Sequence, residues 1–169
     1  MSEVEVEDVL RLHRLKTASY TVAGPLRMGF LLSPKANESD GTAESLRDYG
    51  REIGTAFQVK DDLLGLFGEE EETGKPVTSD IEEGKRTLPL IMAHRRGTES
   101  QRKKMESIVG SNPSEEEFEG IKKIVEETGA RRKCEEMARE MVEEGKRAVE
   151  SVESDFLTDL ADFIVERSY

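Results

Sequence analysis

The sequence has 169 residues, of which 35% are hydrophobic and 37% are charged, and its formal net charge is −12. This acidic balance argues against nucleic-acid binding, because no basic stripe is present to neutralise phosphates. The single cysteine, Cys134, excludes an internal disulfide and favours a reducing, cytoplasmic location. No apolar run reaches the ~18 residues of a membrane span, so no integral membrane segment is expected.

Helical periodicity dominates the sequence, and no stretch alternates like a strand with hairpin turns. These patterns predict a single all-α domain over residues 1–169. The first helix is expected over residues 3–32, with a kink or interruption at Pro25. A long helix begins at Thr42, carries Gly50 and Gly54 for close packing, and delivers a pair of aspartates at its carboxyl end. Further helices are predicted over residues 87–95, 99–109, 114–128, 130–152 and from Ser154 onwards.

The stretch from Phe57 to Leu90 contains the candidate chemistry. Asp61 and Asp62 are adjacent carboxylates, and such oxygen ligands suit Mg²⁺, which keeps most of its waters. Lys75 and Lys85 follow in a Gly-Lys-Pro turn and a Gly-Lys-Arg-Thr step, where they offer positive charge to a diphosphate. The stretch therefore predicts a site made of carboxylates, a metal ion, a diphosphate and lysines.

Two motifs identify a family. FQVKDDLLG followed by TGKPVTSDIEEGKRTLPL resembles the second aspartate-rich region of trans-isoprenyl diphosphate synthases, of the farnesyl and geranylgeranyl type. KTASYT, beginning at Lys16, is similar to the family's KT motif. The resemblance implies the C-terminal half of an isoprenoid-synthase-type helix bundle. Its parts would be a KT-motif helix region (1–32), the second aspartate-rich region with a phosphate loop (42–90) and C-terminal helices (91–169).

The resemblance also implies a role for each matching residue in the condensation of an allylic diphosphate with isopentenyl diphosphate. Mg²⁺ would be the cofactor, with Asp61 as its ligand and Asp62 assisting through water. Asp80 would be a partner for the metal-bound waters or the lysines. The remaining residues would serve the diphosphate and the isoprenoid: Lys16, Lys75 and Lys85 hold the diphosphate, Thr17, Tyr20 and Gln58 lie beside the carbocation, and Phe57 walls the isoprenoid cavity.

The sequence departs from the family at two points. Gly65 stands where many relatives carry the last aspartate of the second motif, and no first DDxxD motif is present. With that half missing, the apolar faces Tyr20–Leu32 and Phe57–Leu66 are expected to lack partners. Three hypotheses follow: a subunit of a split synthase whose partner carries the first motif, a regulatory scaffold that binds a full-length synthase, or a fragment of an ordinary synthase. In the first, the chain would be a homo- or hetero-oligomer and inactive alone.

Overall fold

The computed structural model describes residues 3–34, 36, 41–68, 76–152 and 154–166, and within them the chain is helical with no strand. The predicted all-α class is therefore confirmed. The helices, in chain order, are α1 (Val6–His13), a π-helical segment (Arg14–Ala23), α2 (Gly24–Leu31), α3 (Thr42–Phe67), α4 (Ser79–Glu82), α5 (Leu88–Arg96), α6 (Glu99–Ile108), α7 (Glu115–Glu127), α8 (Ala130–Ala148), a 3₁₀ turn (Glu150–Val152) and α9 (Asp155–Glu166).

Side chains at the amino termini fix where two of these helices begin. Ser114 accepts a hydrogen bond from the backbone N–H of Glu117, whose carboxylate accepts the N–H of Ser114 in return. Ser114 and Glu117 also have the Ser-x-x-Glu spacing that is typical of a capping box, so the sequence itself indicates this start of α7. Thr98 and Gln101 form a second capping box at the start of α6, which the sequence analysis did not identify.

The helical run is interrupted just before Pro25, where the sequence predicts a kink or an interruption, and the interruption takes the form of a π-helical segment. The N–H of Gly24 bonds the carbonyl of Ser19, five residues earlier, and Pro25 lies in the first turn of α2. In a regular α-helix a proline ring clashes with the carbonyl four residues before it. A wider turn ahead of Pro25 is one way to avoid that clash. Such π segments are rare and frequently occur at functional sites.

The chain forms two compact units. The first unit consists of Leu10–Lys60 and the carboxy-terminal segment from Glu136; the second consists of Asp61–Glu135 and the amino-terminal residues up to Val9. The first unit has Tyr49, Ile53 and Val142 among its fully buried side chains, and Leu63, Leu88, Ile91, Met105 and Ile121 are fully buried in the second. The single-domain assignment of the sequence analysis stays a prediction.

One of the two apolar faces predicted to lack partners is exposed and the other is not. Tyr20, Met28 and Leu32 are 82%, 62% and 86% exposed, as predicted for the Tyr20–Leu32 face. By contrast Val59, Leu63, Leu64 and Leu66 are all buried, so the prediction for Phe57–Leu66 is wrong. The carboxyl half of α3 already packs inside the chain. No helix of the described residues combines the length and the apolar character that crossing a membrane requires.

Candidate functional site

In the first unit, the candidate residues of the KT motif meet α3 through a hydrogen bond. The hydroxyl of Thr17, in the π-helical segment, donates to the side-chain oxygen of Gln58 at 2.8 Å. The donor and acceptor are 41 residues apart in sequence, so the contact is tertiary rather than local. The structure thus brings together two of the residues that the family resemblance places beside the carbocation.

Two glycines allow the π-helical segment to lie directly on α3. A Cβ built at Gly50 would be 2.4 Å from the Cα of Ala23, and one at Gly54 would be 2.5 Å from the Cα of Ala18. Real Cβ atoms essentially never come that close. Close packing at Gly50 and Gly54, which the sequence predicts, is therefore confirmed. It fixes the depth at which Thr17 reaches Gln58.

The other first-unit candidates differ in exposure. Lys16 and Tyr20 are exposed on the π-helical segment, while Phe57 is half-buried on α3. The exposure of Tyr20 excludes the interpretation of this residue as an ordinary core aromatic within the described chain. A lysine and a phenol on an open surface are available to a ligand or a partner.

In the second unit, the two adjacent aspartates of α3 have different environments. Asp61 is exposed, whereas Asp62 is buried and one of its carboxylate oxygens accepts the backbone N–H of Leu88 at 2.9 Å. Leu88 is the first residue of α5, and Thr87 before it makes no capping hydrogen bond with its side chain. A carboxylate there satisfies an otherwise unpaired N–H and complements the helix dipole. Asp62 thus caps α5 from another helix.

Lys85 is held by two carboxylates. Its ammonium lies 2.8 Å from Asp80 Oδ1 and 2.9 Å from Glu83 Oε2. The hydrogen bonds that the ammonium donates to Asp80, and then to Glu83, raise the pKa of Lys85 above its ordinary value, so the lysine stays charged throughout the physiological range. Gly84 has a φ of +66°, a left-handed conformation that glycine adopts without strain. This turn brings Lys85 back toward Asp80.

The same carboxylate also contacts α3. A Cβ built at Gly65 would lie 2.6 Å from Asp80 Oδ2. Asp61 and Gly65 are four residues apart on α3 and so lie on one side of the helix. The Asp80–Lys85 pair is therefore placed one helical turn from Asp61, within the second unit.

The donor set fits Mg²⁺ as a cation with few protein ligands. No group of three or more His, Cys, Asp or Glu side chains arranged to hold a metal ion occurs in the described part of the chain. Mg²⁺ is usually bound by one or two carboxylates together with substrate phosphates and waters. Asp61 and Asp80 can provide these carboxylates. Lys75 lies outside the described residues, so its predicted contact with the diphosphate stays a prediction.

Two further titratable residues, Cys134 and His94, are buried, and their surroundings indicate a packing role. Cys134 is fully buried, and burial raises the pKa of its thiol to about 12, so the thiol is unreactive at neutral pH. His94 is buried and its Nε2 lies 2.7 Å from Glu106 Oε1. Neither residue belongs to the candidate site.

Sequence reasoning missed two features of this site: the capping of α5 by Asp62, and the contact of Asp80 with Gly65. A signal for the capping of α5 was present. Thr87-Leu88-Pro89 begins a helix, but Thr87 has no Glu or Gln three residues later to complete a capping box, so the cap has to come from elsewhere. For the second, a lone glycine inside a long helix indicates a packing reason. In neither case does the sequence show which residue makes the contact.

Several known proteins are similar to this chain in sequence. The sequence matches the polyprenyl synthetase family over residues 1–128. It is 36% identical to the geranylfarnesyl diphosphate synthase of Natronomonas pharaonis over 172 aligned positions, covering 99% of this chain and 48% of that protein. It is 35% identical to the short chain isoprenyl diphosphate synthase of Methanothermobacter thermautotrophicus, covering 99% of this chain and 51% of that protein.

Solved structures give the same result. A geranylgeranyl pyrophosphate synthase from Corynebacterium glutamicum, complexed with isoprenyl diphosphate and magnesium, superposes with a TM-score of 0.86 at 35% identity. That match covers 97% of this chain and 47% of the other. The chain thus spans about half the length of the relatives that it matches. With the family match covering most of the sequence, the chain belongs to the polyprenyl synthetase family.

Proposed function

We propose that this chain is the part of a trans-prenyl diphosphate synthase that holds an allylic diphosphate through Mg²⁺ and lysines. The observation that carries the proposal is the placement of the charged Lys85, through Asp80, one turn of α3 from the exposed carboxylate of Asp61. A carboxylate for a metal ion and a cation for a phosphate are thus close together in one compact unit. This is the pair of charges that a magnesium diphosphate needs.

Each candidate residue has a specific part in the proposed reaction. Bound Mg²⁺ would neutralise the diphosphate and stabilise it as a leaving group. Asp61 would hold the ion, Asp62 would assist through water while capping α5, and Asp80 would orient Lys85. The diphosphate would be held by Lys16, Lys75 and Lys85. Phe57 would wall the isoprenoid cavity.

Three polar side chains would stabilise the allylic carbocation that forms when the diphosphate departs. Thr17 and Gln58 already share a hydrogen bond at 2.8 Å, so their oxygens are positioned before substrate arrives. Preorganised dipoles of this kind need no reorganisation during the reaction and are among the largest contributions to catalysis. Tyr20, exposed on the same segment, would add a third oxygen.

The condensation with isopentenyl diphosphate would need a second half of the site. The sequence contains no first DDxxD motif, and several large apolar side chains are exposed where a partner would cover them: Leu12, Leu15, Tyr20, Met28 and Leu32. We infer that the other half of the helix bundle supplies the first motif and the isopentenyl diphosphate site. The active form would then be an oligomer or a joined pair of halves, and the chain alone would not convert substrate.

A cytoplasmic location remains a prediction.

Lys85→Ala tests the diphosphate site directly. Titration calorimetry with Mg²⁺ and geranyl diphosphate is expected to show binding that is weaker by at least about tenfold, because a charge-assisted hydrogen bond contributes about 1.5–3 kcal/mol. Lys103→Ala is the matched control, since Lys103 also pairs with a glutamate, Glu99, but is 73% exposed on α6. Equal binding by wild type and Lys85→Ala would contradict the proposed site and favour a non-catalytic scaffold of a full-length synthase.

A further inference from the structure

The turn that carries Lys85 is bound to the carboxyl end of α6 by a backbone hydrogen bond. The N–H of Gly110, two residues after the last residue of α6, donates to the carbonyl oxygen of Ile81 at 2.8 Å. Ile81 is the third residue of α4 and is buried, and its carbonyl also accepts the N–H of Gly84 at 3.0 Å. One oxygen thus connects the turn between α4 and α5 to a residue outside it.

Gly84 and Gly110 also lie directly against each other. Their φ angles are +66° and +94°, and a Cβ built on Gly84 would be 3.4 Å from the Cα of Gly110. The end of α6 is itself anchored, because Glu106 Oε1 lies 2.7 Å from Nε2 of His94 in α5. Gly110 therefore offers the turn a fixed support.

A small cavity beside this contact shows why a backbone hydrogen bond matters there. It has a volume of about 170 Å³ and is lined by Gly84, Arg86, Glu106 and Val109. Because space remains between the turn and α6, side-chain packing alone leaves the turn room to shift. The directional bond from Gly110 to Ile81 removes that freedom.

We propose that Gly110 is a positioning residue of the diphosphate site: by holding the Ile81 carbonyl, its N–H sets the place at which the turn presents Lys85. This inference rests on the proposed function. It also accounts for the glycine, because an L side chain is strained at a φ of +94° and would relieve the strain by rotating the N–H away from Ile81. The alternative is that Gly110 only ends α6, as left-handed glycines commonly do, and has no effect on a ligand.

Two substitutions at Gly110 and one matched control separate these interpretations. Gly110→Ala introduces the strain, whereas Gly110→Asn is milder because asparagine tolerates left-handed backbone better than most side chains. Gly129→Ala is the control: Gly129 follows α7 with a φ of +68°, and its N–H donates to the carbonyl of Glu126 within that helix. Both alanine variants are expected to lower the urea midpoint.

The test is titration calorimetry with Mg²⁺ and inorganic diphosphate. Gly110→Ala is expected to bind diphosphate about fivefold more weakly than wild type, the effect of about one hydrogen bond. Gly110→Asn and Gly129→Ala are expected to bind within about twofold of wild type. In a Lys85→Ala background, Gly110→Ala should weaken binding by less than about twofold further, because the residue that it positions is already gone. A general loosening of the fold would weaken binding in both backgrounds alike.

The outcomes distinguish this inference from the function on which it rests. Absence of diphosphate binding by wild type would overturn the proposed function and the inference with it. Normal binding by wild type together with unchanged binding by Gly110→Ala would overturn the inference alone, and so would a Gly129→Ala or Gly110→Asn variant as weak as Gly110→Ala. Equal weakening with and without Lys85 would also overturn it.

Amide hydrogen exchange of the wild type decides the question if Gly110→Ala does not fold. If the hydrogen bond from Gly110 helps to place Lys85, bound diphosphate must stabilise that bond in return. Adding Mg²⁺ and inorganic diphosphate is therefore expected to slow the exchange of the Gly110 N–H at least about threefold more than that of the Gly129 N–H. An equal change at the two amides would contradict the proposal.

Discussion

Gly54→Ala is expected to lower the free energy of unfolding by about 3 kcal/mol, within the range for overpacked interiors. The added methyl would lie 2.5 Å from the Cα of Ala18 and 2.9 Å from its Cβ. Because the nearest atom belongs to backbone, no side-chain rotation relieves the overlap. The π-helical segment would have to move away from α3, and the hydrogen bond between Thr17 and Gln58 would lengthen. Urea denaturation followed by circular dichroism measures the loss.

Gly29→Ala is the matched control for this prediction. Gly29 lies within α2, and a Cβ built there meets nothing within 4 Å. Alanine is favoured over glycine in a helix by about 0.5–1 kcal/mol, so this variant is expected to be slightly more stable than wild type. Equal urea midpoints for Gly54→Ala and Gly29→Ala would show that the close approach of the two helices is not a constraint.

Asp62→Ala is expected to destabilise the protein by about 2 kcal/mol, the usual range for a hydrogen bond to a charged group. The substitution leaves the buried N–H of Leu88 without its 2.9 Å acceptor and removes negative charge from the amino terminus of α5. Asp62→Asn keeps an acceptor oxygen and should lie between alanine and wild type. The same urea titration measures all three proteins.

Asp61 provides the internal comparison for this effect. It is adjacent in sequence but exposed, so Asp61→Ala is expected to change stability by no more than about 0.5 kcal/mol while weakening Mg²⁺-dependent diphosphate binding. If Asp61→Ala instead lowered the stability more than Asp62→Ala, Asp61 would be the structural residue, and the assignment of metal binding to Asp61 would be contradicted.

The helices were predictable from sequence because their signals are local. Proline in the first turn of α5 and the Ser114 capping box act within a few residues. The π-helical segment was not predictable, because the pattern identifies Pro25 but neither the wider turn before it nor the contacts of Ala18 and Ala23 with glycines of α3, which are 27 to 36 residues away in sequence. The local pattern identifies Pro25 but not the change from α-helical to π-helical hydrogen bonding that precedes it.

Part of the candidate site was also predictable from sequence, and the rest depends on tertiary packing. Motif order identified Gln58, Asp61, Asp80 and Lys85, and the structure pairs the last two directly. The family resemblance assigns the metal to Asp61 and a supporting role to Asp62, but no local pattern shows which of the two carboxylates is buried, because both lie near the carboxyl end of one helix. Only the packing of α5 beside α3 decides which carboxylate is buried. Likewise, the sequence does not show that the carboxylate of Asp80 lies beside Gly65.

We propose above that this chain provides the diphosphate-binding half of a prenyl diphosphate synthase site. The most direct test is a prenyltransferase assay with Mg²⁺, isopentenyl diphosphate and geranyl diphosphate. It would use the purified chain alone and then mixed with the amino-terminal half of the Methanothermobacter thermautotrophicus short chain isoprenyl diphosphate synthase. We expect no product from either half alone and a longer prenyl diphosphate from the mixture. Robust turnover by the chain alone, or silence from a mixture of two folded halves that bind each other, would contradict the claim.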